Sequence, residues 1–404
     1  MKIMQLNCVY PKGSTGKLTE ILHKAYLDKG EDSIVLYGRG TTVNAPSVYK
    51  VCSEIGAKFN HARACLNGIM YGGAGITTRR IISIIKKEKP DVVHLQCING
   101  YWVNIYKLIT WLKKSGISTV LTLHAEFMYT ANCGSAVDCN GWLTGCGNCP
   151  RLKSETQSLF FDRTNYSFKK MQKAFLGFNK NLVVAAVSPW LLGRVKQSPI
   201  LGDKNALCVY NGVNTSIFKY SAKASIAELS QNKGEKIILH VTASFTDKED
   251  DLKGGIWLIR LAEAMKDMPV RFIVAGRYNI ENKLPSNITL LGDIEDQNLL
   301  SQYYSGADLT VLFSKSETFS MVVAESLCCG TPVIGFKAGG PEQITIKEYS
   351  DFYAQNDFQG IMEGAKKWLW NTNVEREEIA RKAASVYSTE KMIENYMEIY
   401  RRFE

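Results

Sequence analysis

Asp308-Leu309-Thr310-Val311-Leu312-Phe313-Ser314-Lys315-Ser316-Glu317-Thr318-Phe319-Ser320-Met321-Val322-Val323-Ala324-Glu325 sets an apolar run of strand length, a short polar loop and the start of an amphipathic helix end to end. That is the strand-to-helix step of a βα unit, and it recurs along the chain, which predicts parallel sheets covered by helices. Working outward, the second half gives strands Lys236–Ala243, Val270–Ala275, Ile288–Leu291, Asp308–Ser314 and Pro332–Phe336. Helices are predicted near Gly255–Lys266, Gln297–Tyr304 and Met321–Cys328. The first half gives strands Met1–Asn7, Ser33–Tyr37, Asp91–Leu95, Ser118–His124, Leu182–Ser188 and Ala206–Tyr210. Thr77–Lys89 reads as a helix with Ile81, Ile82, Ile84 and Ile85 on its inner side.

Two successive series predict an α/β protein of two doubly wound domains. The polar stretch Lys219–Lys236 puts the boundary near 215, giving domains 1–214 and 215–384 and a Tyr- and Met-rich closing helix over Ser385–Phe403 that packs back on the first domain. With 404 residues, 45% hydrophobic and 22% charged, the composition excludes a disordered, collagen-like or small disulfide-stapled chain. No apolar run is as long as a membrane span, and the first residues lack a signal-peptide profile, so a cytoplasmic location is expected. Residues 1–200 carry 26 Lys and Arg against 11 Asp and Glu, whereas the remainder is net acidic. The basic half suits phosphates, nucleic acid or an anionic membrane face, or is simply a solubility feature.

Ligands of doubly wound sheets sit beyond the carboxyl ends of the strands. There lie Glu317 and Glu325, eight residues apart, which is a little over two helical turns and would let both carboxylates enter one cleft. Carboxylates accept from sugar or ribose hydroxyls, and N–H groups of Phe319, Ser320, Met321 and Val322 at a helix start suit a diphosphate. Two acids on a helix are otherwise an ordinary solvated face. Gly330 to Glu342 follows, a buried strand running into the Gly339-Gly340 pair, where backbone could approach a ligand. Earlier come Asn211-Gly212-Val213 and Lys253-Gly254-Gly255.

In chain order the Asn-Gly-Val segment, the Lys-Gly segment and the acidic pair resemble the family 4 retaining glycosyltransferases of the GT-B fold, particularly those of capsule, lipopolysaccharide and colanic-acid synthesis. The resemblance covers essentially the whole chain and implies two Rossmann-like domains facing across a cleft. It implies a UDP- or GDP-linked sugar as donor, with Glu325 on the ribose, Lys253 on the departing diphosphate and Glu317 positioning the sugar. The acceptor would be a glycan or lipid-linked glycan hydroxyl, with no nucleic acid partner and no metal needed for catalysis. Retention would follow same-face attack through an oxocarbenium-like ion pair, Glu317 acting as nucleophile being the other reading. Gly13-Ser14-Thr15-Gly16-Lys17 stands where the family's glycine loop approaches the donor, with Gly16 as the donor-binding residue; a plain turn and helix start reads equally well, and a P-loop does not fit because Pro11 and Leu18 occupy its fixed positions. Asn99, Gly100, Tyr101 and His124 look like the acceptor side, and His124, which ends a strand at the ligand edge, is also the candidate catalytic histidine beside Glu317 and Lys253, a capped core histidine being the other reading. Relatives commonly carry His at Gln96 and Asn99 and an acid directly after His124, where this chain has Ala125 and then Glu126. The family also tends to place an arginine before the phosphate lysine, so Lys248 is the candidate second cation.

Cys133, Cys139, Cys146 and Cys149 form C-x5-C-x6-C-x2-C, a set that in a reducing compartment suits structural zinc better than disulfides, reduced thiols or a redox pair being the alternatives. His23, His61 and His240 read as core or surface histidines. Two further classes remain open on sequence: a GT-B epimerase or phosphorylase, and a zinc-clipped nucleic-acid binder using the basic half.

Overall fold

The computed structural model describes residues 1–222, 234–373 and 375–403, so most of Lys219–Lys236 lies outside the described residues. Contacts divide the chain into two compact units, Met1–Tyr210 with Ile393–Glu404, and Asn211–Met392.

Unit 1 is built on a seven-stranded sheet in the order β3-β2-β1-β4-β5-β6-β7, every pair parallel. Its strands are β1 Lys2–Val9, β2 Asp32–Arg39, β3 Val48–Lys50, β4 Val92–Leu95, β5 Ser118–Leu123, β6 Leu182–Ala186 and β7 Asn205–Cys208. Its helices are α1 Gly13–Asp28, α2 Glu54–Asn67, α3 Gly75–Glu88, α4 Ile105–Ser115, α5 Phe127–Thr130, α6 Thr164–Phe175 and α7 Pro189–Gln197. β4 and β6 are buried along their whole length, as strands covered on both faces must be. Local chemistry sets the helix limits: Asn104 caps Lys107 N at the start of α4, and Gly116 takes the left-handed conformation that ends it.

Unit 2 repeats the plan with six parallel strands in the order β10-β9-β8-β11-β12-β13. These are β8 Lys236–Thr246, β9 Val270–Asn279, β10 Ile288–Gly292, β11 Leu309–Leu312, β12 Val333–Phe336 and β13 Ser350–Tyr353. α8 Gly255–Ala264, α9 Gln297–Gly306, α10 Met321–Cys328, α11 Pro341–Ile344, α12 Phe358–Lys366 and α13 Arg376–Tyr387 complete it. Ile238, Phe245, Val274, Val311, Phe313 and Phe336 form the centre of its core. Both sheets reverse direction beside their first strand, between β1 and β4 and between β8 and β11, and each reversal opens a crevice for ligand.

The alternation predicted the α/β architecture and missed two pieces. β3 and β13 are edge strands of three and four residues, too short to show periodicity. β8 and β9 run past their expected ends because the ladder resumes after a register shift between Val241 and Ser244. Gly276 permits this shift; at φ +136° any Cβ would strike the Thr242 carbonyl.

The single helix expected over Ser385–Phe403 is two. α13 stops at Tyr387 and α14 Thr389–Arg401 begins after Ser388. Val213 pairs with Ser388, donating its N–H to Tyr387 O and accepting from Thr389 N, which removes backbone groups a continuous helix would need. The last turns of α14 belong to unit 1. Tyr400 OH lies 2.9 Å from Tyr26 OH and 2.7 Å from His94 Nδ1, while His94 Nε2 and Tyr396 OH both meet Thr122 Oγ1, at 2.8 and 2.9 Å. Burial of His94 holds its pKa down to about 3, so the imidazole is neutral.

Candidate active site

The crevice of unit 2 is formed by the loops after β8 and β11. Gly254 and Gly255 open α8 against backbone, Gly254 at φ +71° with no room for a Cβ beside Phe313 O. Lys253 stands just before them, its N–H held by Asp251 Oδ2 at 3.2 Å. From the other loop Glu317 reaches over, and Lys253 Nζ donates to Glu317 Oε1 at 2.5 Å. Ser314 Oγ donates to the same oxygen at 3.0 Å. Both charged side chains keep part of their surface open, 36% for Lys253 and 21% for Glu317. The structure therefore brings together two residues singled out from the sequence and adds Ser314, which no motif marked.

The helical spacing argument for Glu317 and Glu325 does not hold. Glu317 lies in an extended bridge with Gly339, four residues before α10, and Ser320 at φ +85° separates it from the helix. A non-glycine residue there carries strain that its surroundings must offset, and Ser320 is 7% exposed and caps Val323 N. Glu325 sits on α10 and accepts from Tyr304 OH at 3.3 Å; burial and then the Glu325 charge raise the Tyr304 pKa well above the phenol range. Phe319 is 2% exposed and Met321 opens the helix, whose first-turn N–H groups precede its own ladder.

The Gly339-Gly340 pair also differs from expectation. Glu342 accepts from Ala338 N and Gly339 N at 2.9–3.0 Å, and Gly340 N donates to Glu317 O at 2.8 Å, so these N–H groups are already engaged. Gly340 is needed because a Cβ would meet the Thr318 carbonyl at 2.4 Å. The pair thus shapes the Glu317 loop. An acid two residues after Gly340 was the available signal.

Lys248 is drawn elsewhere. Its Nζ pairs with Glu281 at 3.3 Å on an exposed loop and not with Glu317.

In unit 1 the corresponding crevice gathers the glycine loop and the segment after β4. Fully buried Asn7 donates to Val9 O and Thr15 Oγ1 and accepts from Cys97 N, tying both loops to β1. Gly16 packs against Pro11 and Val9, and Gly100, at φ +88°, leaves no space for a Cβ beside Cys8 Sγ. Asn99 Oδ1 accepts from Cys97 Sγ, and Tyr101 lies between His61 and Tyr71, with ring centroids 4.5 and 6.1 Å away. His124 Nε2 lies 2.8 Å from Gln96 Oε1, whose amide donates to Gln5; desolvation lowers the His124 pKa to about 4. His23 and His240 are buried and His61 bonds Gln157, as expected of structural histidines.

Glu126 is wholly buried. It bonds Ala136 N and forms an ion pair with Arg194 at 2.8 Å, while Arg194 lies over Trp142 and Trp190. This anchors the start of the cysteine insertion. The four cysteines are free thiols: Cys146 Sγ donates to Thr130 O, and Cys139 Sγ accepts from Gly141 N. Among the described residues no three His, Cys, Asp or Glu side chains come together to hold a metal ion.

Residues 236–371 match the family Glycosyl transferases group 1. The whole chain is 22% identical over 419 aligned positions to WcaC of Escherichia coli K12, described as a colanic acid biosynthesis glycosyl transferase, covering 99% of each chain. Among solved structures it is similar to a glycosyltransferase from Rickettsia africae, with a TM-score of 0.69 and 17% identity over 100% of this chain and 98% of that one. HepE of Anabaena in complex with UDP-glucose gives a TM-score of 0.64 and 16% identity over the full length of both. These structural likenesses carry the fold, which is GT-B.

Proposed function

We propose, for a chain whose residues 236–371 match the group 1 glycosyl transferases, that it moves a hexose from a nucleoside diphosphate donor to a hydroxyl of a bacterial surface-glycan intermediate, with retention at the anomeric carbon. The observation that carries this is the Lys253–Glu317 pair at the β8/β11 crevice, beside the start of α10. Breaking the bond between anomeric carbon and phosphate oxygen leaves negative charge on the departing diphosphate. Lys253, with three N–H bonds of which one reaches Glu317, stabilises that charge together with the α10 N–H groups. Glu317, fixed by Ser314 and by its own backbone bonds, orients the sugar hydroxyls, and Glu325 accepts from the ribose. The leaving phosphate takes the acceptor proton as the new bond forms on the same face.

The UDP-glucose complex of HepE supports a uridine donor, and the similarity to WcaC supports a surface polysaccharide as product. No described helix is long and apolar enough to cross a membrane. The test is a thermal-shift screen of UDP-, GDP-, ADP- and CMP-sugars against the wild type and Glu325→Ala. A donor at 100 times its Kd stabilises by about 2.7 kcal/mol. Stabilisation of the wild type by one nucleotide class, lost in the variant, is expected; silence from all four overturns the reading.

A further inference from the structure

A side-chain amide has one end that donates and one that accepts, so a row of buried amides carries a direction set by whatever anchors it. Unit 1 holds such a row between α1 and the ligand edge of its sheet. Its anchor is Thr19 O, a carbonyl inside α1 that can only accept, and Gln5 Nε2 donates to it at 3.4 Å. The other end of that amide, Gln5 Oε1, therefore faces β4, and Gln96 Nε2, just beyond β4, donates to it at 3.2 Å. This leaves Gln96 Oε1 as the end that meets His124 Nε2 at 2.8 Å. An oxygen at that position calls for a proton on the nitrogen. Thr19, Gln5 and Gln96 are at most 1% exposed, so bulk solvent does not reach the row to relax it. Turning either amide around would set two oxygens against each other.

His124 itself is half-buried just beyond β5, and desolvation lowers its pKa to about 4, so the ring is neutral at pH 7 and carries a single proton. With that proton on Nε2, the lone pair lies on Nδ1. His94 makes the contrast: its two nitrogens meet the Thr122 and Tyr400 hydroxyls, which rotate to donate or accept, so that frame fixes no tautomer. We infer that Gln5 and Gln96 are positioning residues that hold His124 as its Nε2–H tautomer, so that Nδ1 accepts and never donates. A group meeting Nδ1 must bring a proton: a sugar hydroxyl qualifies, whereas the oxygen of a phosphate or carboxylate does not. His124 thereby becomes a contact for a hydroxyl of the acceptor, and a ring this hard to protonate leaves the transferred proton to the departing phosphate. Only the identity of the group at Nδ1 rests on the transferase reading; the tautomer is read without substrate, so the two fail separately.

The experiment is a two-dimensional 15N–1H spectrum of the histidine rings in the full chain at pH 7, with His124→Asn to identify its signals among the five histidines. A protonated Nε2 and an unprotonated Nδ1 are expected in the wild type; an Nδ1–H ring, an imidazolium or an equal mixture overturns the inference. Because an isolated imidazole already leans toward Nε2–H, two variants complete the test. Gln96→Lys places a group with no acceptor beside the ring and should switch His124 to Nδ1–H. Gln96→Met fills similar space without polar ends and should raise the minor tautomer about fivefold relative to the major one. An unchanged tautomer in whichever of these variants folds as the wild type does would make the glutamines packing residues and overturn their assignment.

Discussion

Lys253→Met keeps most of the side-chain stem and deletes the ammonium that meets Glu317 at 2.5 Å. With Lys253 36% and Glu317 21% exposed, solvent screens the pair, and its loss should lower stability by no more than about 1 kcal/mol, or roughly 2–4 °C in the melting temperature. The effect on chemistry is larger. Removing one preorganised charge stabiliser from a developing anion costs on the order of 10²–10³ in kcat, or about 3–4 kcal/mol. The assay is release of nucleoside diphosphate from the donor identified by thermal shift, with melting followed in parallel. Glu317→Gln retains the Ser314 contact but not the charge. Because Lys253 and Glu317 touch, the double variant should lose less than the product of the two single losses. Turnover by Lys253→Met within about threefold of wild type, at unchanged diphosphate-induced stabilisation, refutes the assignment of Lys253 to the leaving group.

Glu126→Ala leaves the Arg194 guanidinium without its carboxylate beside the cysteine insertion, and should cost about 3 kcal/mol in chemical denaturation, far more than an exposed pair. Burial depresses the folded-state pKa of His94 to about 3 and of His124 and His240 to about 4. Below about 6.5 the unfolded chain binds protons that the folded chain excludes, so stability is full above that pH and falls as pH drops toward 4. Urea midpoints at pH 7 and 5 check this, and the shift should shrink in His94→Gln. One equivalent of zinc in the purified protein, lost to chelator together with stability, is the outcome the C-x5-C-x6-C-x2-C spacing calls for; zinc-free protein with a melting temperature unmoved by chelator would leave the four cysteines as thiols.

The sheet architecture was legible because buried parallel strands are mostly apolar, with one polar residue each in β4 and β11, and their connecting helices are amphipathic, as α3 shows. The edge strands β3 and β13 were not, since three or four residues carry no period. In the site, Lys253 and Glu317 could be named from their motifs, yet the reason offered for pairing Glu317 with Glu325 failed at Ser320, whose positive φ no residue type announces. Ser314 and Glu342 act through contacts between loops, which linear spacing does not encode. That α2 turns Ile55, Phe59 and Leu66 outward escaped for a different reason: periodicity reveals an apolar face but not whether it points inward, and only the burial of Ala57 and Ala64 on the other side decides that.

The tyrosines of α14 have a consequence for how the chain is made. Unit 1 is finished by residues that follow all of unit 2 in the chain. At about 5–20 residues per second, a ribosome needs roughly ten to forty seconds to pass from residue 210 to residue 393, and during that interval Tyr26, His94 and Thr122 lack the hydroxyls that satisfy them. Until α14 emerges, the nascent first unit is without the element that covers these groups. A gene cut after Tyr210 would encode a domain missing its last structural piece, whereas joining 389–403 to that end would supply it.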